Sequence, residues 1–161
     1  MALYFNNPGN IKMVPGTVWQ GQVLPGDSAV FVTYINLPYG YRALFKVIQS
    51  KINRGLNTVN SIIYDYAPPS DNNPTESYVN FIENNTGINR FSIINPGDLD
   101  SIKKIGYYIS IFETGISPDK NSFQEGFNLF SGQSGEISPD NNVNLVFVAG
   151  IAFLYIILKT K

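Results

Sequence analysis

The 161-residue chain contains no cysteine and no histidine. Without them it can build no disulfide, no zinc finger, no cysteine nucleophile, no Ser-His-Asp triad and no histidine-rich metal site. Charge is also scarce. Only 14% of the residues are Asp, Glu, Lys or Arg, and the formal net charge is −1. A protein that binds nucleic acid generally shows a clear basic excess, so no nucleic-acid partner is expected. Residues 1–11 lack a basic start and a long apolar run, so they are not expected to act as a secretory leader. What remains for chemistry is carboxylates, hydroxyls, lysine and tyrosine, or a metal held by oxygen alone. No cofactor is implied.

Apolar residues make up 43% of the chain, enough to bury a core. The few charges are unevenly placed. Residues 1–54 set Lys12, Arg42, Lys46, Lys51 and Arg54 against Asp27, a local +4, whereas residues 55–117 carry seven acids and three bases, a local −4. A basic segment favours an anionic polymer or surface, although Arg42 to Arg54 also reads as the solvated face of a helix.

Apolar periodicity predicts a mostly α domain over residues 1–117. Residues 6–28 read as ordered loop, with turns at Asn7-Pro8-Gly9 and Pro25-Gly26-Asp27. Val30 to Ile35 is a strand candidate. Helices are predicted over Tyr39–Asn53, ended by Gly55; over Thr58–Tyr66, stopped by Pro68-Pro69; over about Pro74–Asn85; and from an Asp98 cap through Phe112. Residues 118–142 are rich in Ser, Gly, Asn and Asp and read as a linker, within which Phe123, Phe127 and Phe130 allow a short amphipathic turn.

Leu145 to Leu158 has no polar side chain except the Tyr155 hydroxyl. As a helix, its fourteen residues would cover about 21 Å, against roughly 30 Å of bilayer hydrocarbon. Val143, Asn144 and a snorkelling Lys159 lengthen it. Because the segment is apolar all round, residues 143–161 are expected to form a C-terminal transmembrane helix and lipid anchor; a buried core helix is the alternative.

Among the carboxylates, Glu113 stands apart. It falls near the end of the most apolar predicted helix. There the helix dipole and an apolar surround both oppose ionisation. A carboxyl kept protonated near pH ~6 is what a general acid needs. An exposed last-turn glutamate is the plainer alternative. Asp71, in the polar loop after Pro68-Pro69, is a second catalytic candidate, or simply a cap or Asx-turn. Asn6, Asn7 and Asn10 offer amides suited to sugar hydroxyl and acetamido groups, or simply make a turn. Trp19, the single tryptophan, suits stacking on a sugar ring or anchoring the core.

These residues fall in a recognisable order. Asn6-Asn7-Pro8-Gly9-Asn10-Ile11, Trp19-Gln20-Gly21, Phe31-Val32-Thr33-Tyr34 and Gly40-Tyr41-Arg42-Ala43-Leu44 resemble a family of phage virion and prophage proteins that reads NNPGNI, WxG, FxxF and GxRAL in this order. The resemblance continues through Gly55-Leu56-Asn57-Thr58-Val59, Ile62-Ile63, Ala67-Pro68-Pro69-Ser70, Thr75 and Tyr78, and it covers residues 5–116. That family looks like lysozyme-like peptidoglycan hydrolases.

Its helix-end His-Glu-Asn-Gly appears here as Phe112-Glu113-Thr114-Gly115, with the His replaced. Its Pro-Pro-x-Glu-Asn-x-Thr loop appears as Pro68 to Thr75, with Asp71 for Glu and one added residue. The resemblance implies an α+β lysozyme-like fold. In related glucosaminidases the Glu-x-Gly helix end precedes the Asn-Asn segment. Here it follows, so a circular permutation would place Glu113 across one cleft from Asn6 to Asn10.

Peptidoglycan is cut by zinc amidases, cysteine peptidases or glycosidases, and only the last can work without His or Cys. A muramidase or lytic transglycosylase is therefore expected. Glu113 would be the acid and Asp71 a fallback partner. Asn6, Asn7, Asn10, Trp19, Thr75 and Tyr78 would be glycan-binding residues. The expected partners are glycan strands, a lipid membrane and other virion proteins, with the chain carried in a virion that has an internal membrane. The alternatives are a non-catalytic, membrane-tethered structural or glycan-binding virion protein, and an endolysin made in the infected cell.

Overall fold

A computed structural model describes residues 5–26 and 28–133. In chain order the described helices are α1 (Leu37–Asn53), α2 (Val59–Tyr66), α3 (Thr75–Thr86), α4 (Leu99–Thr114) and α5 (Lys120–Ser131), with a 3-10 turn at Pro69–Asp71 between α2 and α3. The mostly α expectation holds, and the first four helices fall where apolar periodicity puts them.

Their ends follow local chemistry. Asn36 caps α1 by accepting from the Tyr39 N–H. Thr58 and Ser61 form a reciprocal capping box at the start of α2. Asp98 caps α4 through the Ser101 N–H. Gly87, Gly115 and Gly132 close α3, α4 and α5 in the left-handed conformation.

Two expectations are corrected. The predicted Val30–Ile35 strand does not form; the described residues contain only two isolated antiparallel bridges, Lys12 with Phe31 and Gln22 with Tyr34. The segment is extended, but its bonds are divided between two neighbours. The Met13 N–H donates to Val30 and the Val32 N–H to Ile11 on one side, while the Val23 N–H donates to Thr33 and the Ile35 N–H to Gly21 on the other. Neither neighbour runs alongside long enough to make a ladder. The β part of an α+β fold is thus reduced to these two bridges among the described residues.

The second correction concerns the expected linker at 118–142. Residues 120–131 are helix α5, capped by Asp119 accepting from the Ser122 N–H. Its Phe123, Phe127 and Phe130 are all buried. Polar composition hid the helix because the three phenylalanines use one narrow stripe and leave the rest of the surface to Ser, Gln and Asn. Residues 134–142 of that span, and the expected anchor at 143–161, lie outside the described residues. No described helix is long and apolar enough to cross a membrane.

Helix α1 is the hub. Phe45 is fully buried, and the rings of Phe123, Phe127 and Phe130 surround it at 5.3–5.5 Å. On another side α4 reaches α1 at Gly106, where a Cβ would lie 2.6 Å from the Phe45 ring. Lys51, buried near the end of α1, pairs with Asp65 of α2 at 2.5 Å. Helices α3 and α4 pack together, with Ile82, Ile102, Ile105 and Ile109 fully buried.

At the α1–α5 crossing, a Cβ on Gly126 would lie 2.5 Å from the Tyr41 Cβ and 2.7 Å from the Pro38 carbonyl oxygen. Gly126→Val should therefore push α5 off α1 and destabilise the protein by about 1–3 kcal/mol. Urea unfolding should show a lower midpoint with an unchanged slope. An unchanged midpoint would mean that α5 is not docked as described.

Candidate active site

The Asn6–Ile11 loop is built around one buried side chain. The Asn7 amide nitrogen donates to the carbonyls of Ile11 and Val32, both at 2.9 Å, and its oxygen accepts from the Ile11 N–H at 2.9 Å. Asn6 and Asn10 adopt left-handed backbone angles, with φ of 51° and 47°, which asparagine tolerates better than most residues. Asn6 donates to the Tyr34 carbonyl at 2.9 Å. The loop lies directly against α1. A Cβ on Gly40 would fall 2.0 Å from the Asn6 carbonyl oxygen, so only glycine fits there.

This clamped loop aims Asn10 at the far end of α4. The Asn10 amide donates to Glu113 Oε2 at 2.7 Å, joining residues 103 positions apart in sequence. The Tyr78 hydroxyl, from α3, donates to Glu113 Oε1 at 2.9 Å. Glu113 continues the stripe of Ile102, Ile105 and Ile109. It therefore faces inward, one turn beyond the last buried isoleucine. Burial raises its pKa above the ordinary glutamate range, against the opposing effect of the hydrogen bonds from Asn10 and Tyr78.

Two phenols share this environment. Tyr78 is pushed well above the usual tyrosine range, by burial first and then by the charge of Glu113. Tyr66, whose hydroxyl donates to the Gly9 carbonyl, is raised in the same way. Both phenols remain protonated donors across the physiological range.

Glu113 opens into a cleft of about 230 Å³ lined by Gly9, Asn10, Lys12, Phe31, Tyr66, Ala67, Asp71, Asn73 and Glu113. Asp71, the last residue of the 3-10 turn, reaches the same cleft and pairs with Lys12 at 3.2 Å. No group of three or more metal-ligating side chains occurs among the described residues.

The proposed site residues thus divide. Glu113, Asn10, Tyr78 and Asp71 come together at or around the cleft. Asn7 and Thr75 do not qualify as glycan ligands. Asn7 is buried and spends its amide on backbone. Thr75 is buried and donates to the Ala67 carbonyl at 2.5 Å, tying α3 to the end of α2. Asn6 is occupied by Tyr34, and neither it nor Trp19 lines the cleft. Trp19 is half-buried and packs against the core, its indole N–H unbonded.

Sequence reasoning missed Lys12, Phe31, Tyr66 and Asn73 as cleft residues. Only Lys12 and Tyr66 left a local signal, one directly after the Asn6–Ile11 loop and the other directly before Ala67-Pro68-Pro69. Phe112, which stands where the resembling family has His, stacks on Tyr78 with ring centres 3.7 Å apart and planes 13° apart. It holds the ring that bonds to Glu113.

A carboxyl whose pKa is raised by folding binds its proton more tightly in the folded than in the unfolded chain. Stability therefore falls as pH rises from the ordinary glutamate value of about 4.3 through the raised one, and it stays lower above. Glu113→Gln removes this loss. Its amide can accept from Asn10 and donate to the Tyr78 oxygen, leaving the Tyr78 hydroxyl to face the Ile109 carbonyl, 3.5 Å away. The variant should melt above the wild type at neutral pH, with the gap closing below pH ~4. Thermal scans across this range check it; a variant less stable at neutral pH would mean that the ionised carboxylate is the favoured form.

No protein-family model matches the chain. It is similar to Protein P5 of Pseudoalteromonas phage PM2, with 33% identity over 93 residues. The match takes in 56% of this chain and 58% of that protein, so it spans little more than half the length of the curated relative. The chain is a distant homologue of a phage protein.

Proposed function

We propose that the protein is a peptidoglycan-cleaving glycosidase, a muramidase or lytic transglycosylase, in which Glu113 protonates the glycosidic oxygen. One observation carries this reading. A carboxyl whose pKa burial raises opens into a polar cleft, and two neutral donors hold it in place. A carboxyl that holds its proton more tightly than an ordinary glutamate and presents it from a fixed position is what leaving-group protonation requires. Among the described residues, Asp71 is the other carboxylate on the cleft and the partner available to the cationic side of the transition state.

The arrangement in space also supports a lysozyme-like domain with permuted chain order. The Asn6–Asn10 loop comes first in the chain and Glu113 near the end of α4, yet they meet directly. Similarity to a protein of phage PM2 supports carriage in a virion, where such an enzyme would open the host wall locally during entry. Residues 143–161 would tether it to a lipid membrane, and other virion proteins would surround it. A lytic enzyme made for release from the infected cell would instead be absent from purified particles.

A second reading is a non-catalytic glycan-binding or structural virion protein. It is favoured by the fact that both Glu113 oxygens already accept hydrogen bonds, as in a purely structural carboxyl.

Turbidity clearing of purified peptidoglycan by the full chain tests the two readings. The wild type should clear, and Glu113→Gln should lose about a hundredfold or more of the rate. Because the acid must be protonated, wild-type activity should decline toward alkaline pH. Clearing that is undiminished by Glu113→Gln would remove Glu113 from the chemistry. Glycan binding without clearing, by wild type and variant alike, would favour the second reading.

A further inference from the structure

Among the described residues, Lys12 is the one cation lining the cleft that contains Glu113. It follows the clamped Asn6–Ile11 loop directly, and its backbone is held by the bridge to Phe31. Its ammonium reaches across to Asp71 Oδ2, at the end of the 3-10 turn on the other wall, at 3.2 Å. The two side chains are 64% and 47% exposed. An ion pair so open to water contributes little to stability and is cheaply exchanged. The other described lining residues are neutral or acidic, so among them a substrate carboxylate entering the cleft has a single ammonium to meet.

We infer that Lys12 is a specificity-determining residue that recognises a carboxylate on the substrate, so that the cleft selects an anionic glycan over an uncharged one. The inference rests on the glycan-cleaving reading of the same cleft. On binding, the substrate carboxylate takes the place of Asp71 at the Lys12 ammonium. The exchange releases the Asp71 carboxylate beside the glycan and opens the bridge between the two walls. Peptidoglycan offers such a carboxylate from either of two sources, the lactyl group on its muramic acid or the acids of its stem peptide. Chitin, built of N-acetylglucosamine alone, offers none.

Calorimetric titration of the full chain tests this with three probes: chitohexaose, glycan strands stripped of peptide, and strands that keep it. Lys12→Met, which retains the aliphatic stem, should weaken binding of the carboxylate-bearing strands by about tenfold and leave chitohexaose unchanged. Asp71→Asn, which frees the ammonium, should tighten the same strands. Added salt should weaken wild-type binding and have little effect on Lys12→Met. A loss on stripped strands would identify the lactyl carboxylate, and a loss confined to peptide-bearing strands would identify the peptide. Lys103→Ala, whose ammonium bonds to Gln124 of α5 and does not line the cleft, serves as the charge control and should leave binding of all three probes unchanged. If the wild type binds the strands and Lys12→Met binds them equally well, or loses chitohexaose in parallel, the inference fails while the glycan reading stands. If the wild type binds none of the three, the glycan reading falls with it.

Discussion

Helix α1 lies closer to three of its neighbours than an added side chain at the contact would permit, and the domain is arranged around those contacts. At Gly40 it meets the Asn6 carbonyl, at Gly106 the ring of its Phe45 meets α4, and at Gly126 it meets α5. Adding a methyl group at any of them would require movement of backbone or of a buried ring. Because one helix sets all three separations, the N-terminal loop, α4 and α5 are fixed relative to one another. The cleft inherits this. Asn10 is fixed by the loop seated on Gly40, and Glu113 by the helix seated on Phe45.

That rigidity makes an unfavourable carboxyl sustainable. Glu113 extends a stripe of buried isoleucines past the point where a hydrophobic residue would have served packing better. Its surroundings oppose charge, and the two groups that touch it are a neutral amide and a phenol that stays protonated. Among the described residues, no lysine or arginine bonds to it. A cation in contact would have pulled its pKa down and made it an ordinary carboxylate. The charged pair on the same cleft, Lys12 with Asp71, is open to water, which screens it. Stability is conceded at one residue, as is common at functional sites.

Phe112 belongs to the same economy of charge. Its apolar ring stacks on Tyr78 and packs against Phe81. A ring that cannot titrate leaves Glu113 to be governed by burial and by its two donors. The absence of histidine thus reaches into the electrostatics of the cleft, and not only into the list of chemistries the chain cannot perform.

The sequence by itself determined the first four helices and where they stop, because caps, prolines and terminal glycines act within a few residues. It also singled out Glu113, because an acid that breaks a stripe of isoleucines is a local anomaly. Helix α5 was only half legible. Its three phenylalanines are visible as a stripe, but their value appears only when Phe45 is there to receive them. The strand candidate failed for the opposite reason, since a β-prone run becomes a strand only if a neighbour runs beside it. Among the asparagines, the sequence could not separate the one that faces the carboxyl from the one that holds the loop. Asn6, Asn7 and Asn10 differ in the groups they bond, and the deciding partners, the Tyr34 carbonyl, the Val32 carbonyl and the Glu113 carboxyl, lie 28, 25 and 103 positions away. Tertiary structure alone decided that Asn7 would be consumed internally and Asn10 presented to Glu113. It also decided that Lys12 would meet Asp71 across a cleft, because hydrogen bonds and ion pairs act over a few ångströms in space and leave no mark at that separation along the chain.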